Sequence, residues 1–197
     1  MKRILTTLCL TMLLGSAVVS WSADLEKGFV AYQGGDYATA LRQWTPLVEQ
    51  GNSAAQFFLG LLYEEGLGVP QNYETAVKWW TLAAVQGSPG ARFKLGLMYD
   101  VGRGVPQDYK TAIKWYTLAA ERGNTDAQFA LGLMYAKGQG ATQDNVYAYM
   151  WWSIAVSSGN RDAVINKDIV SQAMTPTQIE KAKELARECV KKSYKGC

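Results

Sequence analysis

Residues 66–80 read GLGVPQNYETAVKWW, residues 102–116 read GRGVPQDYKTAIKWY, and residues 138–152 read GQGATQDNVYAYMWW. The spacing between them is 36 residues, and a fixed period of about 20 to 50 residues marks a repeat architecture before any propensity is consulted. Shifting the whole sequence by 36 superimposes Tyr37, Tyr73 and Tyr109; Ala40, Ala76, Ala112 and Ala148; and Trp44, Trp80, Tyr116 and Trp152. It also aligns Gly51, Gly87, Gly123 and Gly159, and Ala55, Ala91, Ala127 and Ala163. Leu59-Gly60, Leu95-Gly96 and Leu131-Gly132 recur, each followed by Tyr63, Tyr99 or Tyr135. Three full units therefore occupy residues 37–143, and a degenerate fourth occupies residues 144–175.

Each unit reads as two helices. Between Tyr73 and Gln86, Ala76, Val77, Trp80, Ala83 and Ala84 form one stripe at a period of about 3.6 residues, with Glu74, Lys78 and Thr81 off it. Asn72 and Asp108 are N-caps, while Gly87 and Gly123 stop the first helix of each unit. A second helix over about residues 89–101 carries Ala91, Leu95, Met98 and Tyr99 on one face and ends at Gly102. Such a unit cannot bury its apolar face alone and must stack on its neighbours. The fold class is all-α, an α-solenoid of stacked helix-turn-helix repeats.

Residues 66–80 together with Asp126-Ala127-Gln128-Phe129-Ala130-Leu131-Gly132-Leu133-Met134-Tyr135 resemble the repeat of the SEL-one-like family, a variant of the tetratricopeptide repeat. The resemblance covers roughly residues 37–163. It implies a tetratricopeptide-like right-handed superhelix and an adaptor or scaffold role in protein complexes. It brings over no catalytic residue, because the motif consists of packing positions.

The flanks have their own signals. Lys2 and Arg3 precede an apolar run from Ile4 to Val19, and Ser20 and Ser22 supply small residues before a cleavage expected near Ser22 or Ala23. This is the pattern of a secretory signal peptide, and the run is short for a membrane span, which needs about 20 residues. Localisation is therefore expected to be periplasmic or secreted, with no membrane span after cleavage, and Cys9 leaves with the signal. Residues 23–36 read as an entry helix broken at Gly34-Gly35. In the fourth unit Lys167-Asp168 replaces Leu-Gly, as befits a terminal repeat. Thr175-Pro176-Thr177-Gln178 then opens a capping helix within residues 176–197, with a capping-box Gln and Pro at its first position. Its wet side offers Glu180/Lys183, Glu184/Arg187 and Glu188/Lys191 pairs.

Composition removes whole classes of chemistry. The 197 residues contain no His, which excludes Ser-His-Asp and Cys-His nucleophiles, His-ligated metals and a His switch. Charge is 20 basic residues against 17 acidic; without Lys2 and Arg3 the net charge is +1, and six of the basic residues lie in 176–197. No clustered positive stripe for nucleic acid is visible. The Gly66-x-Gly68, Gly102-x-Gly104 and Gly138-x-Gly140 turns follow helices and lack Gly-Lys-Ser/Thr, so they are turns and not phosphate loops. Some cysteine-rich relatives of the family are associated with penicillin binding, but no Ser here is followed by Lys three residues later. No cofactor or metal is expected, and the chain is expected to be a monomer.

Trp44, Trp80, Tyr116 and Trp152 are read as core. Trp79, Trp115 and Trp151 form a second column that could line a contact surface. Cys189 and Cys197 are expected to form a disulfide. Continuous helix would hold their Cα atoms about 12 Å apart, so the helix must end near Lys192 and the tail must fold back. The partner surface is sought where the units differ. On the second helix these positions are Ala54/Gly90/Asp126, Phe58/Lys94/Ala130, Glu64/Asp100/Ala136 and Glu65/Val101/Lys137. The candidates are Phe58, Glu64, Glu65, Lys94, Asp100, Val101, Asp126 and Lys137. By analogy with tetratricopeptide arrays they line a concave groove that receives a peptide segment or partner helix. The competing reading is a cell-wall or β-lactam hydrolase using groove carboxylates.

Overall fold

The computed structural model describes residues 23–197, so the signal-peptide reading of residues 1–22 lies outside the described residues. Within them the chain forms helices and no strand. Residues 23–33 are helical and form α1. There follow α2 (Tyr37–Glu49), α3 (Ser53–Glu65), α4 (Tyr73–Val85), α5 (Pro89–Val101) and α6 (Tyr109–Ala120). The remainder is α7 (Thr125–Lys137), α8 (Asn145–Ser157), α9 (Asp162–Ser171) and α10 (Pro176–Lys191).

Caps place these boundaries. Asp36, Asn52, Asn72, Ser88, Asp108, Asn124, Asp144 and Thr175 each accept a backbone N–H of the first turn they precede, satisfying donors a helix start leaves free. At the other end Gly66, Gly102 and Gly138 take φ of 72°, 72° and 65°, a left-handed turn that glycine adopts without Cβ strain. The recurring Gln of the linker has a task as well. Nε2 of Gln71, Gln107 and Gln143 donates to the carbonyls of Glu64, Asp100 and Ala136, closing the last turns of α3, α5 and α7.

Alanine columns make the helices approach closely. Ala40, Ala76, Ala112 and Ala148, and Ala55, Ala91, Ala127 and Ala163, are fully buried. The closest pairings are α3 with α4, α5 with α6, and α7 with α8, each a second helix with the first helix of the following unit. Their contact is a ring laid on a glycine. A Cβ on Gly60, Gly96 or Gly132 would lie 2.3, 2.4 and 2.4 Å from the rings of Trp80, Tyr116 and Trp152.

The C-terminal helix takes an unexpected side. α10 lies against α8, where Ala186 and Cys189 join Tyr116, Met150, Trp151 and Ile154. Trp151, read as a contact-surface residue, is thereby buried, whereas Trp79 and Trp115 remain partly exposed. The outer face of α9 stays open, with Ile165 63% and Ile169 60% exposed. Of the three ion pairs expected along α10, Glu180–Lys183 closes at 2.7 Å. No helix of the described residues is long and apolar enough to cross a membrane.

Candidate partner-binding surface

The candidate residues sit on α3, α5 and α7, which start from equivalent caps at Asn52, Ser88 and Asn124. Residues 36 apart therefore occupy the same place on each helix. α5 touches α7 directly, and an ion pair joins α3 to α5, so the second helices adjoin along one side of the array.

The Phe58/Lys94/Ala130 position covers the aromatic ring of the preceding first helix. Phe58 stacks on Trp44 at 4.9 Å and 16° and meets Phe29 at 5.5 Å. Lys94 Nζ lies 5.5 Å from the centroid of the Trp80 ring, a cation–π geometry. Ala130 packs in the cluster around Tyr116. The Trp44 and Trp80 rings are thus each held between a glycine of one helix and this side chain of another.

Lys94 also donates to Glu64 Oε2 at 2.6 Å, with side chains only 22% and 14% exposed. The third unit has Ala130 where Lys94 stands, so Asp100, the equivalent of Glu64, must find another partner. It accepts from the Tyr116 hydroxyl at 3.3 Å. The reason is a ring change. The indole N–H groups of Trp44, Trp80 and Trp152 donate to the carbonyls of Leu25, Phe57 and Phe129, whereas Tyr116 has no such N–H and points its hydroxyl at the acid. Burial raises the pKa of Asp100 above its ordinary value, opposed by the Tyr116 hydrogen bond and Lys137. Burial, then the facing Asp100 charge, pushes the Tyr116 phenol well up, so it stays a donor.

The eight candidates thus divide. Phe58, Glu64, Lys94 and Asp100 are engaged in joining helices to one another. Glu65, Val101, Asp126 and Lys137 are exposed and make no side-chain hydrogen bond or ion pair among the described residues. Glu65, Val101 and Lys137 stand at the same helix end, and Asp126 lies in the first turn of α7.

A family model for the Sel1 repeat matches residues 53–88, 89–124 and 125–160. The chain belongs to the Sel1 repeat family. Each match begins on a second helix and runs through the next first helix, the same pairing that places a ring on a glycine. Among solved structures, a Sel1 repeat protein from Oxalobacter formigenes is 29% identical with a TM-score of 0.72, over 84% of this chain and 68% of that one. The protein c5321, a protective antigen present in uropathogenic Escherichia coli strains displaying an SLR fold, is 26% identical with a TM-score of 0.62; 88% of this chain and 47% of that one are covered. Helicobacter pylori cysteine rich protein B shares the fold at 22% identity and a TM-score of 0.52, over 66% of this chain and 92% of that one. No curated protein matches.

Within the Sel1 array, a fourth ring seat escaped the periodicity. A Cβ at Gly28 would lie 2.2 Å from Trp44 Nε1, so α1 serves as the second helix of an incomplete preceding repeat. Gly28 and Trp44 are 16 residues apart, whereas Gly60 and Trp80 are 20 apart. The linker before α2 is shorter by the difference, and a constant shift passes over it. At the other end of the array, Cys189 and Cys197 Sγ atoms lie 2.09 Å apart with Cα atoms at 5.5 Å. The tail folds back because Ser193 and Tyr194 take φ of 52° and 66°, and the Tyr194 N–H donates to the Cys189 carbonyl at 2.8 Å.

Proposed function

We propose that this Sel1 array is an exported module that holds a peptide segment or helix of a protein partner along the face made by α3, α5 and α7. Membership in the family implies a protein–protein interaction module, and the finer reading rests on one observation. Three structurally equivalent helices keep their packing residues and differ at exposed positions, Glu65, Val101 and Lys137, which therefore serve no shared packing task. The mixed charges and the apolar Val101 suit a segment read by side chains more than a uniformly charged polymer.

Export draws support from Lys2-Arg3, the Ile4–Val19 run and a cysteine pair in bonding geometry, which persists in oxidising compartments. N-terminal sequencing of the envelope protein should begin at or next to Ala23; an intact Met1 would reject export by cleavage. For the interaction, the triple variant Glu65→Lys, Val101→Glu, Lys137→Glu should fold as the parent and lose the partner cross-linked in the native envelope. Undiminished capture by that variant would overturn the assignment of this face. Turnover of peptidoglycan or a β-lactam by the parent would replace it with the hydrolase reading.

A further inference from the structure

A cleft of about 600 Å³ lies away from the face just described, lined by Arg92, Leu118, Glu121, Arg122, Ser193 and Lys195. Three separate parts of the chain build it: the first turn of α5, the end of α6, and the tail closed by Cys189 and Cys197. Its lining carries three cations against one acid.

The cations are placed by the fold. Arg92 occupies the position held by Gln56 and Gln128 in the neighbouring units, and its guanidinium is fixed by donation from Nε to the Ala84 carbonyl at 3.1 Å and from Nη1 to the Leu118 carbonyl at 3.0 Å. Nη2 is left over. It lies 4.0 Å from the point where a Cβ on Gly87 would stand, and Arg122 Nη2 lies 3.9 Å from the same point. Gly87 is at φ 94°, so no side chain fills the space on which the two guanidinium groups converge. Arg122 and Lys195 have no carboxylate partner among the described residues.

The third wall is the tail. Ser193 and Tyr194 are the two non-glycine residues of positive φ among the described residues, a conformation that persists only when the surroundings impose it. Here the cysteine pair imposes it from one side. From the other, the Gly196 N–H donates to Glu121 Oε1 at 3.2 Å, which ties the tail to α6 and occupies one oxygen of the only acid in the cleft.

We propose that this cleft binds a small dianionic oxyanion, a phosphate or a dicarboxylate, between Arg92, Arg122 and Lys195. Guanidinium forks match the geometry of such ligands, and charge-assisted bonds to them are the stronger kind. Two negative charges balance the net charge of the lining.

The test is calorimetric titration of the full mature chain, disulfide intact, with inorganic phosphate and, separately, succinate, using chloride at matched ionic strength as the control. Saturable binding of either anion with a Kd below about 1 mM is expected, and the tighter of the two tells phosphate from dicarboxylate. Arg122→Gln and Lys195→Gln, which remove no hydrogen bond of the fold, should keep the melting temperature and weaken binding about tenfold each. Reduction of Cys189–Cys197 should weaken binding by a similar factor, because Ser193 and Lys195 are released. A response no different from chloride, or binding undiminished in Arg122→Gln, overturns the proposal.

Discussion

A methyl group added to Gly60 would have to share space with the indole of Trp80, 2.3 Å away, and with its Cδ1 at 2.6 Å. The ring cannot retreat, because Lys94 lies across it and its N–H is bonded to the Phe57 carbonyl at 3.1 Å. Gly60→Ala should therefore destabilise by about 1–3 kcal/mol, the usual cost of overpacking, read as a lower midpoint in urea. Asp100 gives a second residue-scale prediction, in which pH sets the sign. Its pKa is raised by burial, so as pH rises past the ordinary value of 3.8 the unfolded chain loses the proton first and the folded state is penalised. Stability from this group is present at acid pH and lost as pH climbs through the folded pKa. Asp100→Asn, which still accepts from Tyr116, should melt higher than the parent at pH 7, and the difference should close below pH of about 4. A parent and variant with the same gap at both pH values would refute the buried-acid account.

At the scale of the element, α7 and α9 are the informative pair. Their alanines Ala127 and Ala163 are both buried, but Leu133 packs in the cluster with Trp152, while the equivalent Ile169 is exposed because α10, the helix that follows, lies against α8 and leaves that face of α9 open. Leu133→Ala should cost about 2 kcal/mol, and Ile169→Ala should stay within about 0.5 kcal/mol; thermal unfolding of the two variants checks both. Helix boundaries, the paired-helix unit and the ring positions were all legible, since each depends on residues that recur at one spacing. The same dependence hid Gly28, where a shorter linker breaks the spacing, and the convergence of Arg92 with Arg122, which lie 30 residues apart in chain order and meet only after three helices have packed. Of the candidate surface, variation among units picked out eight positions, and Glu65, Val101, Asp126 and Lys137 are exposed; variation also marks compensating contacts, as the Glu64–Lys94 pair and the Asp100–Tyr116 bond show, because both kinds of position escape the shared packing.

For the whole molecule the decisive element is α10. It lies along the flank of the array and shields Trp151 and Ile154, and its last turn carries the loop closed from Cys189 to Cys197. Closing a loop of this length stabilises by about 2.5 kcal/mol in the chain-entropy model. Reduction should lower the melting temperature by about 5–10 °C and add two mass units on alkylation-free measurement. No change in melting temperature would mean that α10 is held by packing alone. The sequence carried the possibility of this bond in two cysteines, but which side of the array α10 covers depends on its small residues Ala182, Ala186 and Cys189 meeting the large side chains of α8, Tyr149, Met150, Trp151 and Ile154 among them, a choice no local pattern encodes.

The ring-on-glycine contact also sets how such a chain can lengthen or shorten across generations. Excising residues 89–124 removes Gly96 and Tyr116 together and leaves Gly60 beneath Trp80 and Gly132 beneath Trp152. Excising residues 73–108, an equally long piece, moves Tyr116 from Gly96 onto Gly60 and puts Glu64 in the place of Asp100, a new pairing of ring, glycine and acid. Duplication and loss in the first frame leave every surviving ring on the glycine it began with, Lys94 being the one described contact of Glu64 that is lost, so the same contact that fixes helix packing makes a second helix and the first helix after it the natural unit of gain and loss.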